Sequence, residues 1–481
     1  MSDDSARQSA PFNPHRPEIP MIARNMFRGT GRLLVAGVIL LGHGTWLAAQ
    51  TAGGLPPMPD YRGEIRRGPD GKLMALPEPP VIETAPLDPQ APLAQPAQAA
   101  PAASHPAAPG AAPRAATPPR ATTLVVGPGE RIPTITEASR QARDGDIVEI
   151  KSGEYRGQPA VWTQRDITIR GVGKRPVMVA DNQLAEEKGI WVVRGERVRI
   201  ENIEFRGARA SDMNGAGIRF DKGSLSIVRC AFFDNEMGIL TANSPELSLA
   251  VIDSEFANSP HTTNDFHHLL YVGRIGKLVL RGSRFRNGFY GHLVKTRARE
   301  NYILYNVMVD GASGHASYEL EFPNGGVAYV IGNVIGQGPE SENPSIIAYG
   351  SEGLRWTQNA IYLAHNTVIN DASNANYLLI KSDRGPEAVE VWALNNLMAG
   401  PGEFRRPAVG RFEGNQNVAR SALVEQDGVP TRLPPQSPLR GTVRPPGKAG
   451  NVELTPDSEF DFPVGTKAIQ PSTRPAPGAF Q

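Results

Sequence analysis

The chain contains very little cysteine, almost no net charge and no long apolar run. A single cysteine among 481 residues excludes an internal disulfide, so packing and hydrogen bonds have to hold the fold together. With 50 basic and 49 acidic residues, the formal net charge is +1. No global field therefore attracts the chain to nucleic acid or to an anionic membrane, and any partner must be recognised locally.

Several motifs of known catalytic sites are also missing. The sequence has no Cys/His spacing typical of a zinc site, no glycine-rich phosphate-binding loop and no nucleophile elbow. Chemistry must therefore come from polar side chains that the fold brings together.

Residues 1–50 carry the pattern of an export signal. Three arginines precede the apolar run 33–41, and the small residues Ala48 and Ala49 follow it. We expect export to the periplasm or out of the cell. Retention of the segment as an inner-membrane anchor facing the periplasm is the alternative, because weakly apolar residues extend the run.

Residues 51–121 are predicted to form a disordered linker. Proline and alanine dominate its second half, and the whole chain contains 44 prolines and 50 glycines. Proline fixes φ and removes a backbone donor, so we expect an extended, semi-stiff tether without sheet structure.

A short amphipathic helix is predicted where the ordered domain begins. Thr134 and Glu137 form an S/T-x-x-E capping box, and Ile135, Ala138 and Ala142 share one face. Such a helix can cover the open end of a sheet structure and protect its unpaired backbone groups.

One six-residue phrase recurs downstream at intervals of roughly 30 residues. The phrases begin at Asn202, Cys230, Ser254, Ser283, Asn306, Asn333, Asn366 and Asn396. Their first position is small and mostly polar, which favours a turn where Asn adopts the left-handed conformation and bonds its stacked equivalent. The third position is usually apolar and should point inward. Cys230 is expected to be an inert core residue.

The phrase and the helix that precedes it resemble the parallel β-helix repeat of the pectin-lyase-like superfamily, over roughly residues 124–420. The resemblance implies an all-β fold, a right-handed single-stranded parallel β-helix with a short N-terminal capping helix. A β-propeller would need about 40 residues per blade, so the shorter period disfavours it. We expect the β-helix to span 122–420, an irregular tail at 421–481 to pack back on it, and the protein to be a monomer.

Polar residues that suit a site are concentrated in 265–325. Outward side chains of successive coils line a shallow groove in such a rod, so clustering over a few coils marks a site. By strand alternation Lys295 and Arg297 share a face of their strand, and Glu319 and Glu321 share a face of the strand in the next coil. Stacked strands would then place two cations beside two carboxylates on one outer wall.

Two reactions fit these residues. A polysaccharide lyase removes the proton α to a uronate carboxyl group, so it needs a cation for that carboxylate and a base. Arg297 or Arg299 can supply the cation, and Lys295, His268 or Tyr271 the base.

A glycoside hydrolase would instead use two carboxylates, and Glu319 with Glu321 are the candidates. The same two glutamates are also candidate ligands for Ca²⁺, the one cofactor that these residues suggest. Further side chains are expected to contact a polysaccharide: His267, His292, Asn324 and Tyr349.

The region is also loosely similar to the β-helix lyases typified by chondroitinase B and the alginate lyases, in which a Lys-Ser segment leads to an Asn-bearing turn. Here Lys295-Thr296 leads through Asn301 to Asn306. The lysine-like position is occupied by Arg297, so the resemblance implies the superfamily and not the catalytic residues.

Two other interpretations remain open. The four charged residues can form a cross-coil ion-pair ladder that only sets register. The chain can equally be a non-catalytic β-helix that binds glycan or scaffolds the envelope, because this fold has many functions. The partner we expect is a polysaccharide, with no nucleic acid, and a membrane only if the N-terminal segment is retained.

Overall fold

The computed structural model of the chain describes residues 66–67, 73–74, 121–261, 266–341, 343–373, 375–403, 410–470 and 472–481. All of them belong to one unit, Met58–Gln481, and the predicted signal or anchor segment at 1–50 lies outside them. Within the predicted linker, Arg66–Arg67 pairs antiparallel with Leu73–Met74. No helix among the described residues has the length and apolarity to cross a bilayer.

Three parallel sheets make up the described fold, and the chain passes through them in the order sheet 1, sheet 2, sheet 3. Sheet 1 has 12 strands: Thr123–Val126, Ile147–Lys151, Thr168–Val172, Val198–Glu201, Ser224–Val228, Ser248–Ile252, Lys277–Arg281, Glu300–Leu304, Val327–Ile331, Ala360–Ala364, Glu390–Leu394 and Arg411–Glu413. Sheet 2 has 11: Glu154–Arg156, Val177–Val179, Glu204–Arg206, Ala231–Phe233, Glu255–Ala257, Arg284–Arg286, Val307–Val309, Val334–Gln337, Thr367–Asn370, Leu397–Ala399 and Gln416–Val418. Sheet 3 has 9: Ala160–Trp162, Gly189–Val193, Ala216–Phe220, Met237–Thr241, Leu270–Val272, Val294–Thr296, Leu320–Phe322, Ser345–Tyr349 and Asn376–Ile380.

Nine complete coils, from the one that begins at Ile147 to the one that begins at Ala360, contribute one strand to each sheet, so the strands stack in parallel along the rod. This arrangement confirms the predicted right-handed parallel β-helix. The helix α1, Ile135–Gln141, also confirms the predicted capping helix. The Thr134 hydroxyl accepts the Glu137 backbone N–H at 3.2 Å, and Ile135 and Ala138 join the core.

The third position of the repeat phrase points into the rod, as predicted. Phe232, Phe256 and Phe285 stack with centroid separations of 4.6 and 4.7 Å, and Phe205 extends the stack. Apolar residues of later coils continue the column: Met308, Ile335, Val368 and Met398. Neighbouring coils therefore bury each other's inner faces.

The first position of the phrase forms a buried hydrogen-bonded ladder. The Oδ1 atom of Asn366 accepts the backbone N–H of Asn333 at 3.0 Å, and the Oδ1 atom of Asn396 accepts that of Asn366 at 2.9 Å. Ser254 and Ser283 continue the ladder with their hydroxyl groups. Cys230 ends it as a buried thiol whose pKa burial raises to about 11, which fits the inert role predicted for it.

The expected left-handed conformation at the ladder residue itself is wrong. The residue just before it has that conformation, with φ of 56° at Tyr305, 53° at His365 and 57° at Asn395. The ladder side chain has to reach the neighbouring coil. The chain therefore turns at the preceding residue, which takes the left-handed conformation.

The first phrase is out of phase by one residue. Glu204 pairs with Ala231, which aligns Asn202 with the residue that precedes Cys230. Asn202 accordingly has a φ of 54° and is not a ladder residue.

The segment that follows the last coil packs against the rod. It contains the 3₁₀-helix Arg420–Ala422 and three antiparallel hairpins; a second 3₁₀-helix lies earlier, at Pro386–Ala388. The hairpin strands are Val424–Gln426, Val429–Arg432, Lys448–Ala449, Val452–Glu453, Ser458–Phe460 and Thr466–Ala468. Phe460 and Phe480 cluster with Val334 and Leu397 of sheet 2.

Candidate functional site

The register of sheet 3 aligns the central residues of the site. Tyr271 pairs with Lys295, and Lys295 pairs with Glu321, on three successive coils. Leu240 precedes this column and Ala348 follows it. The column therefore places a phenol, an ammonium and a carboxylate side by side.

A second column of rings lies beside the first. His292 contacts His268 at a centroid separation of 4.6 Å and Tyr318 at 5.0 Å. The Nδ1 atom of His268 accepts the backbone N–H of His292 at 2.8 Å, which places the ring proton of neutral His268 on Nε2. Burial lowers the pKa of His268 well below its usual value, and the charges of His292 and Lys295 add to this.

Glu352 connects the two cations of the site. Its Oε1 atom lies 2.9 Å from Nζ of Lys295, and Arg297 binds both of its oxygens through Nη2 at 2.8 and 2.9 Å. The Nε atom of Arg297 adds a contact of 3.1 Å. This is a bidentate pair of the strong, geometrically specific kind.

Arg297 also binds the phenol. Its Nη1 atom donates to the Tyr271 hydroxyl at 2.6 Å, and its guanidinium carbon lies 5.1 Å from the centre of the ring. The Nζ atom of Lys295 lies 5.7 Å from the same ring. Two cations therefore border the phenol, and one of them donates to its oxygen.

Glu321 is held on the other side of Lys295. Its Oε2 atom lies 3.0 Å from Nδ1 of His292 and 3.7 Å from Nζ of Lys295, and Ser351 donates to its Oε1 atom. Ser351 and Glu352 belong to one loop, so this loop supplies a ligand to each side of Lys295.

The two cations and two carboxylates balance in charge. Burial opposes the ionisation of Glu321 and Glu352, but the neighbouring groups together outweigh it and hold the pKa of each carboxyl below its usual value: Lys295, His292 and Ser351 at Glu321, and Lys295 and Arg297 at Glu352. Burial also opposes protonation of Lys295, but the two carboxylates raise its pKa. The four groups are therefore ionised together at neutral pH.

The turn 322–326 holds this loop in place. The carbonyl of Pro323 accepts the backbone N–H of Glu352 at 3.0 Å. Asn324 accepts the backbone N–H of Arg355 at 3.0 Å and donates to the carbonyl of Gly353 at 3.3 Å. Asn324 was predicted to contact substrate; in the structure it anchors the loop that carries Glu352.

Comparisons with known proteins bear on the fold. A crystal structure of the pectate lyase Pel9A matches with a TM-score of 0.50 and 14% identity, covering 75% of this chain and 96% of that chain. The chain therefore has the fold of a pectate-lyase-type β-helix. A crystal structure of the pectin methylesterase from Aspergillus niger matches at a TM-score of only 0.30 and 11% identity, covering 62% of this chain and 85% of that chain. No protein-family model and no curated protein matches.

Glu319 does not share a face with Glu321, so that expectation is wrong. Its register equivalents in the neighbouring coils are Leu293 and Ile346, both in the core. Both of its carboxylate oxygens are buried without a hydrogen-bond partner. Two consecutive residues turn inward where the chain enters sheet 3, and this irregularity reverses the alternation assumed from sequence.

The separation of Glu319 from Glu321 also removes the basis for a shared Ca²⁺ site or a hydrolase pair built on them. Burial, with the nearby Asp310 carboxyl, raises the pKa of Glu319 well above its usual value. Within the part of the chain that the structure describes, no group of three or more His, Cys, Asp or Glu side chains is placed to hold a metal ion.

Three other predicted residues lie outside the cluster. Tyr349 is buried in the core and donates to the carbonyl of Gly326, so it cannot contact substrate as expected. Arg299 is exposed and lies 3.8 Å from Glu300. His267 is buried and pairs with Phe289 through an isolated bridge.

Sequence reasoning missed Glu352 and Ser351. They lie in the loop that follows the strand Ser345–Tyr349, two coils after the strand that carries Lys295, and no sequence motif marks them. The available signal was the Gly-Ser-Glu-Gly run at 350–353, which in the structure directly follows the strand Ser345–Tyr349, at the end of sheet 3 where Arg297 also lies.

Proposed function

We propose that the chain is a carbohydrate-active β-helix protein, a lyase that acts on a uronate-containing polysaccharide at the cluster of Tyr271, Lys295, Arg297, Glu321 and Glu352. One observation supports this above the others: two buried cations adjoin a phenol that accepts a hydrogen bond from one of them. Elimination next to a uronate carboxyl group needs this combination of cation and base.

In this proposal Lys295 and Arg297 neutralise the uronate carboxylate, which makes the neighbouring C–H acidic. Tyr271 acts as a phenolate, whose charge the Arg297 guanidinium stabilises; its oxygen takes that proton, and the electrons form a carbon–carbon double bond as the glycosidic C–O bond breaks. The Lys295 ammonium supplies the proton that the leaving oxygen takes up. The step leaves Tyr271 protonated and Lys295 as a neutral amine, so one proton returns from the phenol to the amine before the next turnover. The products are an unsaturated uronate end and a new hydroxyl end.

The choice of base follows from the neighbours of each candidate. Lys295 retains its proton between two carboxylates, so it serves as a cation and acid. His268 already accepts a hydrogen bond at Nδ1 and carries its proton on Nε2. Tyr271 is the remaining candidate, and the Arg297 guanidinium stabilises negative charge on its oxygen.

Hydrolysis is less well supported. A glycoside hydrolase needs one protonated carboxyl group as general acid. Both carboxyl groups of the cluster are held ionised by Lys295. The carboxyl groups with raised pKa values in this region, Asp310 and Glu319, are buried away from it.

A second candidate is a non-catalytic β-helix that binds glycan or scaffolds the envelope. The charge balance of the cluster favours it, because the two cations and two carboxylates already satisfy each other. Export to the periplasm or beyond rests on residues 1–50 and is part of the proposal, as is the monomeric state.

The test is to incubate the full chain with alginate, pectate and glycosaminoglycans while recording ultraviolet absorbance of unsaturated product and formation of reducing ends. We expect unsaturated product with one class of polymer, lost in Arg297→Ala. Arg299→Ala is the matched control, because Arg299 is an exposed arginine just outside the cluster. Saturated ends would favour hydrolysis, and binding without product would favour the second candidate.

A further inference from the structure

The carboxylate of Glu352 occupies the position that a uronate carboxylate needs in the proposed reaction. It binds Lys295 at 2.9 Å and makes a bidentate pair with Arg297. The substrate group has the same charge and the same planar pair of oxygens. Both cannot bind the two cations at once.

Glu352 differs from its partners in exposure. Its side chain is 32% exposed, against 2% for Lys295 and 9% for Arg297. Glu321, the other carboxylate, is only 3% exposed. Glu352 is therefore the one charged member of this four-residue network with a direct route to solvent.

The loop backbone under Glu352 is fixed, so exchange requires only the side chain to move. Gly350 donates to the carbonyl of Phe322 at 2.8 Å, and the Leu354 N–H donates to Asp383 at 3.1 Å. A Cβ atom at Gly350 would lie 2.0 Å from the carbonyl oxygen of Lys381, so this turn needs glycine. A glutamate side chain has three rotatable torsions and can swing outward from this support.

We propose that Glu352 is an internal carboxylate that a uronate carboxylate of the polysaccharide displaces from Lys295 and Arg297, so that it sets the charge specificity of the site. The inference rests on the proposed function for its ligand class. Exchange of one carboxylate for another keeps two positive and two negative charges in the cluster. A neutral sugar or a methyl ester that displaced Glu352 would leave two positive charges with one carboxylate, so the proposal predicts that neither binds.

The test measures binding of galacturonate and of trigalacturonate to the full chain by calorimetry. When a ligand competes with an internal group, its apparent Kd equals the Kd for the free site divided by the fraction of molecules in which the site is free. If Glu352 occupies the cations nine-tenths of the time, Glu352→Gln tightens binding about tenfold. Asp427→Asn is the control. Asp427 pairs with Arg284 on sheet 2, outside the cluster, so this substitution should leave the affinity unchanged.

Unchanged or weaker binding by a folded Glu352→Gln protein overturns the exchange. Thermal unfolding and circular dichroism establish folding, and Glu352→Asp gives a second variant that keeps the charge on a shorter side chain. Tighter binding without cleavage of any polymer supports the exchange and rejects the lyase. Cleavage by the wild type with weaker binding by Glu352→Gln supports the lyase and rejects the exchange.

Discussion

Glu319 and Glu321 lie two positions apart on one segment, yet their carboxyl groups occupy opposite sides of the coil wall. Glu321 faces outward to His292 and Lys295, whereas Glu319 is buried in a column otherwise occupied by apolar residues such as Leu293 and Ile346. The two residues should therefore respond to mutation with opposite signs.

Replacement of Glu319 by leucine should stabilise the fold. Its carboxyl group has no hydrogen-bond partner, so removing it relieves a desolvation cost of about 1–3 kcal/mol. Glu321→Leu should instead destabilise by on the order of 3 kcal/mol, because it removes a buried partner of Lys295 and His292. Urea unfolding of both variants measures the difference. Equal losses of stability in the two would contradict the assigned orientations.

The stability that Asp310 contributes should fall as pH rises from about 4 to about 7. Burial raises the pKa of Asp310 from 3.8 to about 6, so the folded state binds a proton that the unfolded state has released. This stabilisation is complete below the unfolded pKa and is lost as pH rises through the folded one. Two pKa units correspond to up to about 3 kcal/mol.

The control for this pH dependence is Asp310→Asn. It loses one of the two backbone bonds that Asp310 accepts from Gly288 and Ala316, so it is less stable at pH 4. The free energy of unfolding of the wild type, measured relative to that of the variant, should nevertheless decrease between pH 4 and 7, because the buried histidines titrate equally in both proteins. A wild-type value that stays constant or increases relative to the variant over this range would refute the assignment.

The buried asparagine ladder should be sensitive to single substitutions. Asn366 accepts from Asn333 and donates to the carbonyl of Val330 at 2.8 Å and to Asn396. Asn366→Ala leaves several of these groups unsatisfied and should cost more than about 2 kcal/mol. Asn366→Ser should lose less, because Ser254 and Ser283 perform the same role in earlier coils. Asn417→Ala, at an exposed position, is the control, and a similar loss there would contradict the ladder's role.

The fold was predictable because two features of the repeat phrase recur once in every coil. A small polar residue and an apolar residue two positions later recur once per coil, and these became the ladder and the inner stack. The phase error at Asn202 arose because asparagine suits both the ladder and the left-handed position before it. Local preference alone could not separate the two.

The site was only partly predictable for a different reason. Lys295 and Glu321 meet because strand register aligns them, and this follows from the repeat. Glu319 was misplaced because the chain bends as it enters sheet 3, and alternation fails at a bend. Glu352 was missed because loops after different coils meet only in three dimensions.

The central claim, that this cluster performs elimination with Tyr271 as base, is tested most directly by Tyr271→Phe. The change removes only the hydroxyl that accepts from Arg297, so the cations and the fold should remain. We predict that the wild-type chain releases unsaturated product from a uronate polymer, and that Tyr271→Phe lowers kcat by about 10²-fold or more in a protein that remains folded by circular dichroism. Equal rates of product formation by the two proteins, or no product from the wild type with any uronate polymer, would contradict the account.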